Sequence, residues 1–290
     1  MTIVVTGATG QLGHLVIEAL LRRGAAPQDV VATGRDEAKL APLAALGVRT
    51  AVADYADPAS LRTALEGATK VLLISGSEVG QRVAQHGNVI DAAKDAGVEL
   101  IAYTSIPKAD TNAMLLAGEH RATEELITAS GLPHTFLRNS WYLENYLPQI
   151  PTYLEHGVVG AAGEGRISGA TRADFADAAA AALLADDSAG RVHELGGESF
   201  TLGELAAAVS EASGRDVTYT EVPGDQLVEI LAGAGLPRPF AEVLADADAG
   251  IARGELEVTT GDLERLIGRR PTSYREAVAE AVSALAPSAS

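Results

Sequence analysis

The sequence predicts an α/β fold: a doubly wound parallel sheet with a smaller, mainly helical C-terminal lobe. Three observations predict it. Short apolar runs alternate with helical patterns from the N-terminus to about residue 138. The connections between them are short, which favours right-handed crossovers and helices on both faces of one sheet. After Asn139 the alternation stops, and aromatic, glycine-rich and then largely helical segments follow.

Ile3–Thr6 is an apolar strand. Gly7, Gly10 and Gly13 follow it, and Leu12, Leu15, Val16, Ala19 and Leu20 then recur at helical spacing over Gln11–Arg23. Gly7 suits the tight turn off the strand. Gly10 lets the backbone approach a pyrophosphate, and Gly13 lets the helix lie close to the strand. Backbone N–H groups around Thr9, Gly10, Gln11 and Leu12, at the positive end of the helix, would then face phosphates. Strand, glycines and helix in this order are the context of a Rossmann dinucleotide site. The plainer alternative is a glycine-rich turn in an ordinary α/β protein. The spacing G-x-x-G-x-x-G resembles the extended and atypical short-chain dehydrogenases.

Val30–Thr33 is the second strand, followed by Gly34-Arg35-Asp36. An acidic residue at this strand's end would hold the ribose 2′-hydroxyl of NADH. Arg35 is instead the first charged side chain, and its planar fork suits a 2′-phosphate. NADPH is therefore the expected cofactor; otherwise Arg35 is a solvated surface arginine. Asp36 reads as the N-cap of a helix over Glu37–Leu46. Further strands are expected at Arg49–Ala53, Lys70–Ile74, Leu100–Thr104 and His134–Leu137, with helices at Pro58–Leu65, Val79–Ala96 and Ala117–Ala129. Asp57-Pro58 supplies a cap and a first-turn proline. Residues 1–155 are read as the nucleotide-binding domain. The helix Arg172–Ala185 brings 171–195 back to it, while 156–170 and 196–290 form a substrate-covering lobe. Thr201 with Glu204, and Ser273 with Glu276, are capping boxes. Val217–Val222 is a strand, and Pro287–Ser290 is expected to fray.

Composition narrows the function. The formal charge of −17 argues against a nucleic-acid or anionic membrane partner, since phosphate binding needs clustered Lys and Arg. There is no cysteine, so thiolate chemistry and disulfides are excluded. No signal peptide or apolar membrane span is evident, and a cytoplasmic address is expected. The six histidines show no metal spacing. A homodimer is left open.

Ligands of a doubly wound sheet sit at the carboxyl ends of its strands. Asp54, which ends the third strand, is placed to bond adenine, and Tyr55 to cover it. Ser75, Gly76 and Ser77 end the fourth strand, where the backbone must approach ribose and nicotinamide; Glu78 reads as part of a helix start. Thr104 and Ser105 end the fifth, with Ser105 near the nicotinamide ribose or a substrate oxygen. Asn139, Trp141, Tyr142 and Asn145 follow the sixth. Asn139 can bond a quinone oxygen or the nicotinamide amide, and Tyr142 can stack on a substrate or donate to it. Trp141 is divided between pocket and core. An amphipathic packing helix is the plainer reading of this segment. Gly80–Arg82 is placed at a helix start or against a phosphate.

The order TGATGQLG, GRD, SGSEVGQRVAQHGNVIDAAKDAGV, IAYTS, GEHRATEELI, SGLPHTFLRNSWYLENY and GGESFTLGELAAAVSE resembles the NmrA-like atypical short-chain dehydrogenases along essentially the whole chain. Bacterial NAD(P)H:quinone oxidoreductases of the second type and triphenylmethane-dye reductases are the look-alikes within that family. The resemblance implies flavin-independent use of NADPH on a quinone-like or carbonyl substrate. Some members of the wider family are redox-sensing regulators, so an NADP-sensing protein without turnover, or a carbonyl or dye reductase, stands as the alternative. The Tyr-x-x-x-Lys pair of many short-chain dehydrogenases is missing, since none of the seven tyrosines has a lysine four positions on. In isoflavone-reductase relatives a lysine precedes GIPYT; counting back from SGLPHT places His120 there. His120 could donate a proton near neutral pH, or be a helix-surface histidine. The catalytic candidates are thus Asn139, Tyr142, His120 and Ser105. A quinone needs little acid–base help, so placement over the cofactor in a dry pocket can supply most of the catalysis.

Overall fold

The structure is a computed structural model, and it describes residues 1–78 and 80–285. The first half alternates β1 (Ile3–Val5), α1 (Gln11–Arg22), β2 (Val30–Gly34), α2 (Glu37–Ala44), β3 (Arg49–Val52), α3 (Pro58–Ala64), β4 (Lys70–Leu73), α4 (Arg82–Asp95), β5 (Leu100–Ser105), α5 (Leu115–Ser130) and β6 (His134–Asn139). Each of these elements matches a sequence expectation to within a few residues at its ends; the expected start of the fourth helix, Val79, and Pro287–Ser290 lie outside the described residues.

The second half runs α6 (Ile150–His156), β7 (Val158–Gly160), α7 (Arg172–Leu184), β8 (Arg191–Leu195), α8 (Leu202–Ser213), β9 (Tyr219–Glu221), α9 (Gly224–Gly233), α10 (Arg238–Ala252), α11 (Asp262–Ile267) and α12 (Tyr274–Leu285). Seven strands form one parallel sheet in the order β3-β2-β1-β4-β5-β6-β8, and β7 pairs with β9 in a separate two-stranded sheet. The order reverses beside β1, which pairs with β2 on one side and β4 on the other. That switch point opens a crevice at the strands' carboxyl ends.

Side-chain chemistry explains the layers. The central strands β1 and β2 are buried on both faces, as parallel strands covered by helices must be. The helix α7 is buried nearly all round through Phe175, Ala176, Ala178, Ala179, Ala180, Ala182 and Leu183. Its small alanines pack against the apolar face of α1, where Val16, Ile17 and Leu20 belong to the same core cluster. Arg23 Nε donates to Asp177 Oδ1 at 3.0 Å and ties the two helices at the rim. The Thr201 capping box is formed, as is the reciprocal Ser273–Glu276 pair. Residues 140–149 are not a packing helix: two short 3₁₀ turns, Leu143–Asn145 and Leu147–Gln149, lead into α6. Pro148 and Pro151 lack the N–H groups that a continuous helix would use there. Among the described residues no helix is long and apolar enough to cross a membrane.

Candidate active site at the carboxyl edge of the sheet

One cavity of about 560 Å³ follows the strand ends. Its lining includes Gly7, Thr9, Gly10, Gln11, Leu12, Arg35, Asp54, Tyr55, Ser75, Gly76, Ser77, Thr104, Ser105, His120, Asn139 and Tyr142. Every candidate residue read from the sequence is thus brought to a single space.

The glycine loop forms one end. Gly7 turns with φ +62°, a conformation that a side chain strains. Gly13 has no room for a Cβ, which would sit 2.4 Å from the Gly7 carbonyl oxygen. The α1 N-terminus has no side-chain cap at Gly10 and no acidic residue in its first turn, so its N–H groups suit an anion. Arg35 lies at the same end. Its Nη1 is 2.8 Å from Glu78 Oε1, and Gln85 Nε2 donates to Glu78 Oε2 at 2.9 Å. Arg35 is therefore paired at the surface: one nitrogen of its guanidinium donates to a carboxylate from the loop after β4. These hydrogen bonds from Gln85 and Arg35 keep the Glu78 carboxyl below its usual range.

Hydrogen bonds fix the middle of the cavity. Asp54 Oδ1 accepts from Ala56 N at 2.9 Å, which makes it a turn residue on that side. Tyr55 Oη lies 2.5 Å from Thr6 Oγ1 and donates to Ile74 O at 2.8 Å. Burial pushes its phenol well up, so it stays protonated. Thr104 Oγ1 accepts from Ser75 N at 2.9 Å, binding the loop after β4 to β5. The next residue is held from below: Gly76 N donates to His86 Nε2 at 3.0 Å, and Arg82 Nε donates to Gly76 O at 2.5 Å. Neither His86 nor Arg82 had been placed by the sequence in a definite role. Both lie on α4, where apolar spacing carries no sign of a polar anchor.

The far end carries the polar groups a substrate could meet. Ser105 Oγ and Asn139 Oδ1 are buried without a protein partner. A buried acceptor or hydroxyl left unmade is costly, so a ligand in the cavity could satisfy both. Asn139 Nδ2 donates to Tyr142 Oη at 3.4 Å. The Tyr142 ring meets Phe175 edge-on, and the Arg172 guanidinium lies 4.6 Å over its centroid. Burial raises the Tyr142 phenol above its ordinary value. Trp141 lines the cavity and also packs against the core of the C-terminal lobe, so it belongs to both. Arg172 also lines the cavity, and it was missed: it opens α7, and only the folded chain carries it back to this edge.

His120 requires a correction. It is buried, not a helix-surface residue, and Tyr103 Oη lies 2.8 Å from its Nδ1. Burial first, then the charge of Arg82 and the neighbouring His86, pull its pKa down to about 3. It is neutral at working pH and holds no imidazolium proton to give near neutrality.

The NmrA-like family model matches residues 1–268. Quinone oxidoreductase 2 of Escherichia coli strain K12 is 50% identical over 278 residues, spanning 95% of this chain and 97% of that protein. The crystal structure of an NADPH-dependent quinone oxidoreductase from Escherichia coli, complexed with NADPH, superposes with TM-score 0.93 at 48% identity, covering 98% of this chain and 99% of that one. The Citrobacter sp. triphenylmethane reductase complexed with NADP(H) superposes with TM-score 0.91 at 38% identity, covering 97% and 100%. By its sequence match and by its fold, this chain belongs to the NmrA-like family.

Proposed function

We propose that this chain is an NADPH-dependent oxidoreductase that transfers hydride to a quinone or a similar conjugated acceptor. The observation that carries the reading is the single cavity, with an anion-binding glycine loop and Arg35 at one end and the unpartnered Ser105 Oγ and Asn139 Oδ1 at the other. The residues fit the cofactor. Gly7, Gly10 and Gly13, with the N–H groups around Thr9, Gln11 and Leu12, would hold the pyrophosphate. Arg35 would exchange Glu78 for the 2′-phosphate. Asp54 and Tyr55 would border the adenine, and Ser75, Gly76, Ser77 and Thr104 the ribose and nicotinamide. When bound, the nicotinamide supplies the hydride. Ser105 and Asn139 orient the ring and the acceptor oxygen, while Tyr142 and Trp141 flank the acceptor and exclude water. Placement of this kind can remove much of the barrier for a reaction whose product anion is stable. We assign 1–155 with 171–195 to nucleotide binding and 156–170 with 196–290 to covering the substrate. A cytoplasmic enzyme fits the reading, and light scattering measures whether it is a homodimer.

The test is loss of NADPH absorbance with a panel of benzoquinones, naphthoquinones, aldehydes, ketones and cationic dyes. Turnover of the quinones is expected. Reduction of cationic dyes alone would favour the second reading, which the likeness to the triphenylmethane reductase supports. Tight NADPH binding with no turnover of any acceptor would overturn both and leave a nucleotide sensor.

A further inference from the structure

Two buried histidines flank one buried tyrosine beside the cavity. The Tyr103 ring on β5 lies 5.6 Å from His86 on α4 and 5.8 Å from His120 on α5. Hydrogen accounting assigns each proton. His86 Nε2 faces the Gly76 N–H at 3.0 Å, and an amide can only donate, so this nitrogen is bare. His86 Nδ1–H must then donate to Thr123 Oγ1 at 2.9 Å. The Thr123 hydroxyl gives its own hydrogen to the Glu119 carbonyl at 2.8 Å. Tyr103 Oη has His120 Nδ1 as its hydrogen-bond partner, at 2.8 Å. Burial keeps the Tyr103 phenol protonated, and the Ser75 and Thr123 side chains also lie beside it; we assign its hydrogen to Nδ1 of His120, the partner at 2.8 Å. The hydrogen of His120 is then on Nε2, in a ring that lines the cavity.

We infer that Tyr103 is a positioning residue that locks His120 as the Nε2–H tautomer, and that His120 offers this neutral N–H to the oxygen of the acceptor being reduced. The inference rests on the oxidoreductase reading and deepens it. Hydride brings one hydrogen and two electrons to the acceptor, NADPH becomes NADP⁺, and a quinone becomes the hydroquinone monoanion. The Nε2–H bonds to the oxyanion as charge develops and keeps its proton. The monoanion takes its proton from water on release. A preorganised neutral donor of this kind stabilises the transition state without any change of protonation. The groups facing His120 agree: Arg82 and His86 from α4 and Tyr103 from β5 surround it, and both the burial and the Arg82 charge oppose an imidazolium.

The experiment is a long-range ¹H–¹⁵N spectrum of the full-length protein with labelled histidine, assigned with His86→Asn and His120→Gln. His120 should show the Nε2–H pattern and His86 the Nδ1–H pattern, both unchanged from pH 5.5 to 8.5. Turnover should be flat over that range, whereas an imidazolium donor would lose activity as pH rises through about 6.5. His120→Ala should lower kcat by about 10²–10³-fold, the effect of removing one oxyanion donor, with little change in the KM for NADPH. Tyr103→Phe should lower kcat about tenfold and mix the His120 tautomers, and His120→Gln, which keeps an N–H, should recover part of the loss. A His120 Nδ1–H tautomer or an imidazolium, with turnover intact, overturns this inference alone. The assigned tautomers with no turnover of any acceptor overturn the oxidoreductase reading and the donor role together.

Discussion

Arg35 is the residue proposed to select NADPH, and its position was legible in the sequence because it is the first charged residue past the second strand. Its partner was not. Glu78 comes from a different strand end, 43 residues away, and only the folded sheet sets the two side by side. Arg35→Ala should weaken NADPH about tenfold to a hundredfold, the effect of losing a charge-assisted contact, and leave NADH within about twofold. Fluorescence titration of the reduced nucleotides measures both, and equal losses would remove the 2′-phosphate role. His120 was located by counting from a motif, yet neither its burial nor its bond to Tyr103 could be read that way. Spacing along one chain carries no information about which side chain from another element lies across a hydrogen bond. The same limit hid Arg172.

At the scale of elements, β1 through β6 were legible because their periodicity and punctuation agree. Apolar runs mark the strands, and glycine exits such as Gly7 and Gly34 and the Asp36 and Asp57 caps mark several of the boundaries. The strand β8 was not named from the sequence, although its return to the sheet was expected. Arg191, Val192, His193 and Glu194 leave an edge strand that is only half-buried, without the apolar run that announces β1 or β5. The turns at 143–149 were hidden for another reason: aromatic spacing there imitates a helix while the prolines forbid one. The tightest junction is where α1 meets the loop after β1. Gly13→Ala places a methyl group 2.4 Å from the Gly7 carbonyl oxygen, against backbone that cannot rotate away. The expected cost is about 1–3 kcal/mol in urea unfolding, with weaker NADPH binding because the displaced loop is the phosphate cradle. Unchanged stability and affinity would show that α1 can retreat from the strand.

The molecule as a whole should become less stable in mild acid. His86 and His120 are held neutral, with pKa values pulled by burial to about 4 and about 3. In the unfolded chain both titrate near 6.5, so between pH 6 and 5 unfolding takes up two protons. His193, also lowered by burial, acts in the same sense. Asp248 acts in the opposite one: burial pushes it up to about 6, so unfolding releases its proton in this window. The net uptake of about one proton predicts that stability falls by about 1.4 kcal/mol per pH unit as pH drops. Asp248→Asn should retain a carbonyl oxygen for the Ala161 N–H, 2.7 Å away in the parent, and steepen the fall to about twice that slope. Denaturant midpoints at pH 6 and 5 for the two proteins are the measurement, and a slope unaltered by the substitution would remove Asp248 from the account.

The packing of α1 against α7 also sets an order of events during synthesis. The first helix leaves the ribosome early, but the alanine face that covers Val16, Ile17 and Leu20 lies about 160 residues downstream. The strand beside it occupies the middle of the sheet and needs β4 before its second edge is paired. Until Leu184 has emerged, the nascent chain therefore carries an uncovered apolar stripe near its N-terminus and a sheet that lacks its closing strand β8. Long-range contacts of this kind make folding slow and leave intermediates prone to associate. A nascent chain stopped before Arg172 should be a holdase client, and release from the chaperone should coincide with completion of α7.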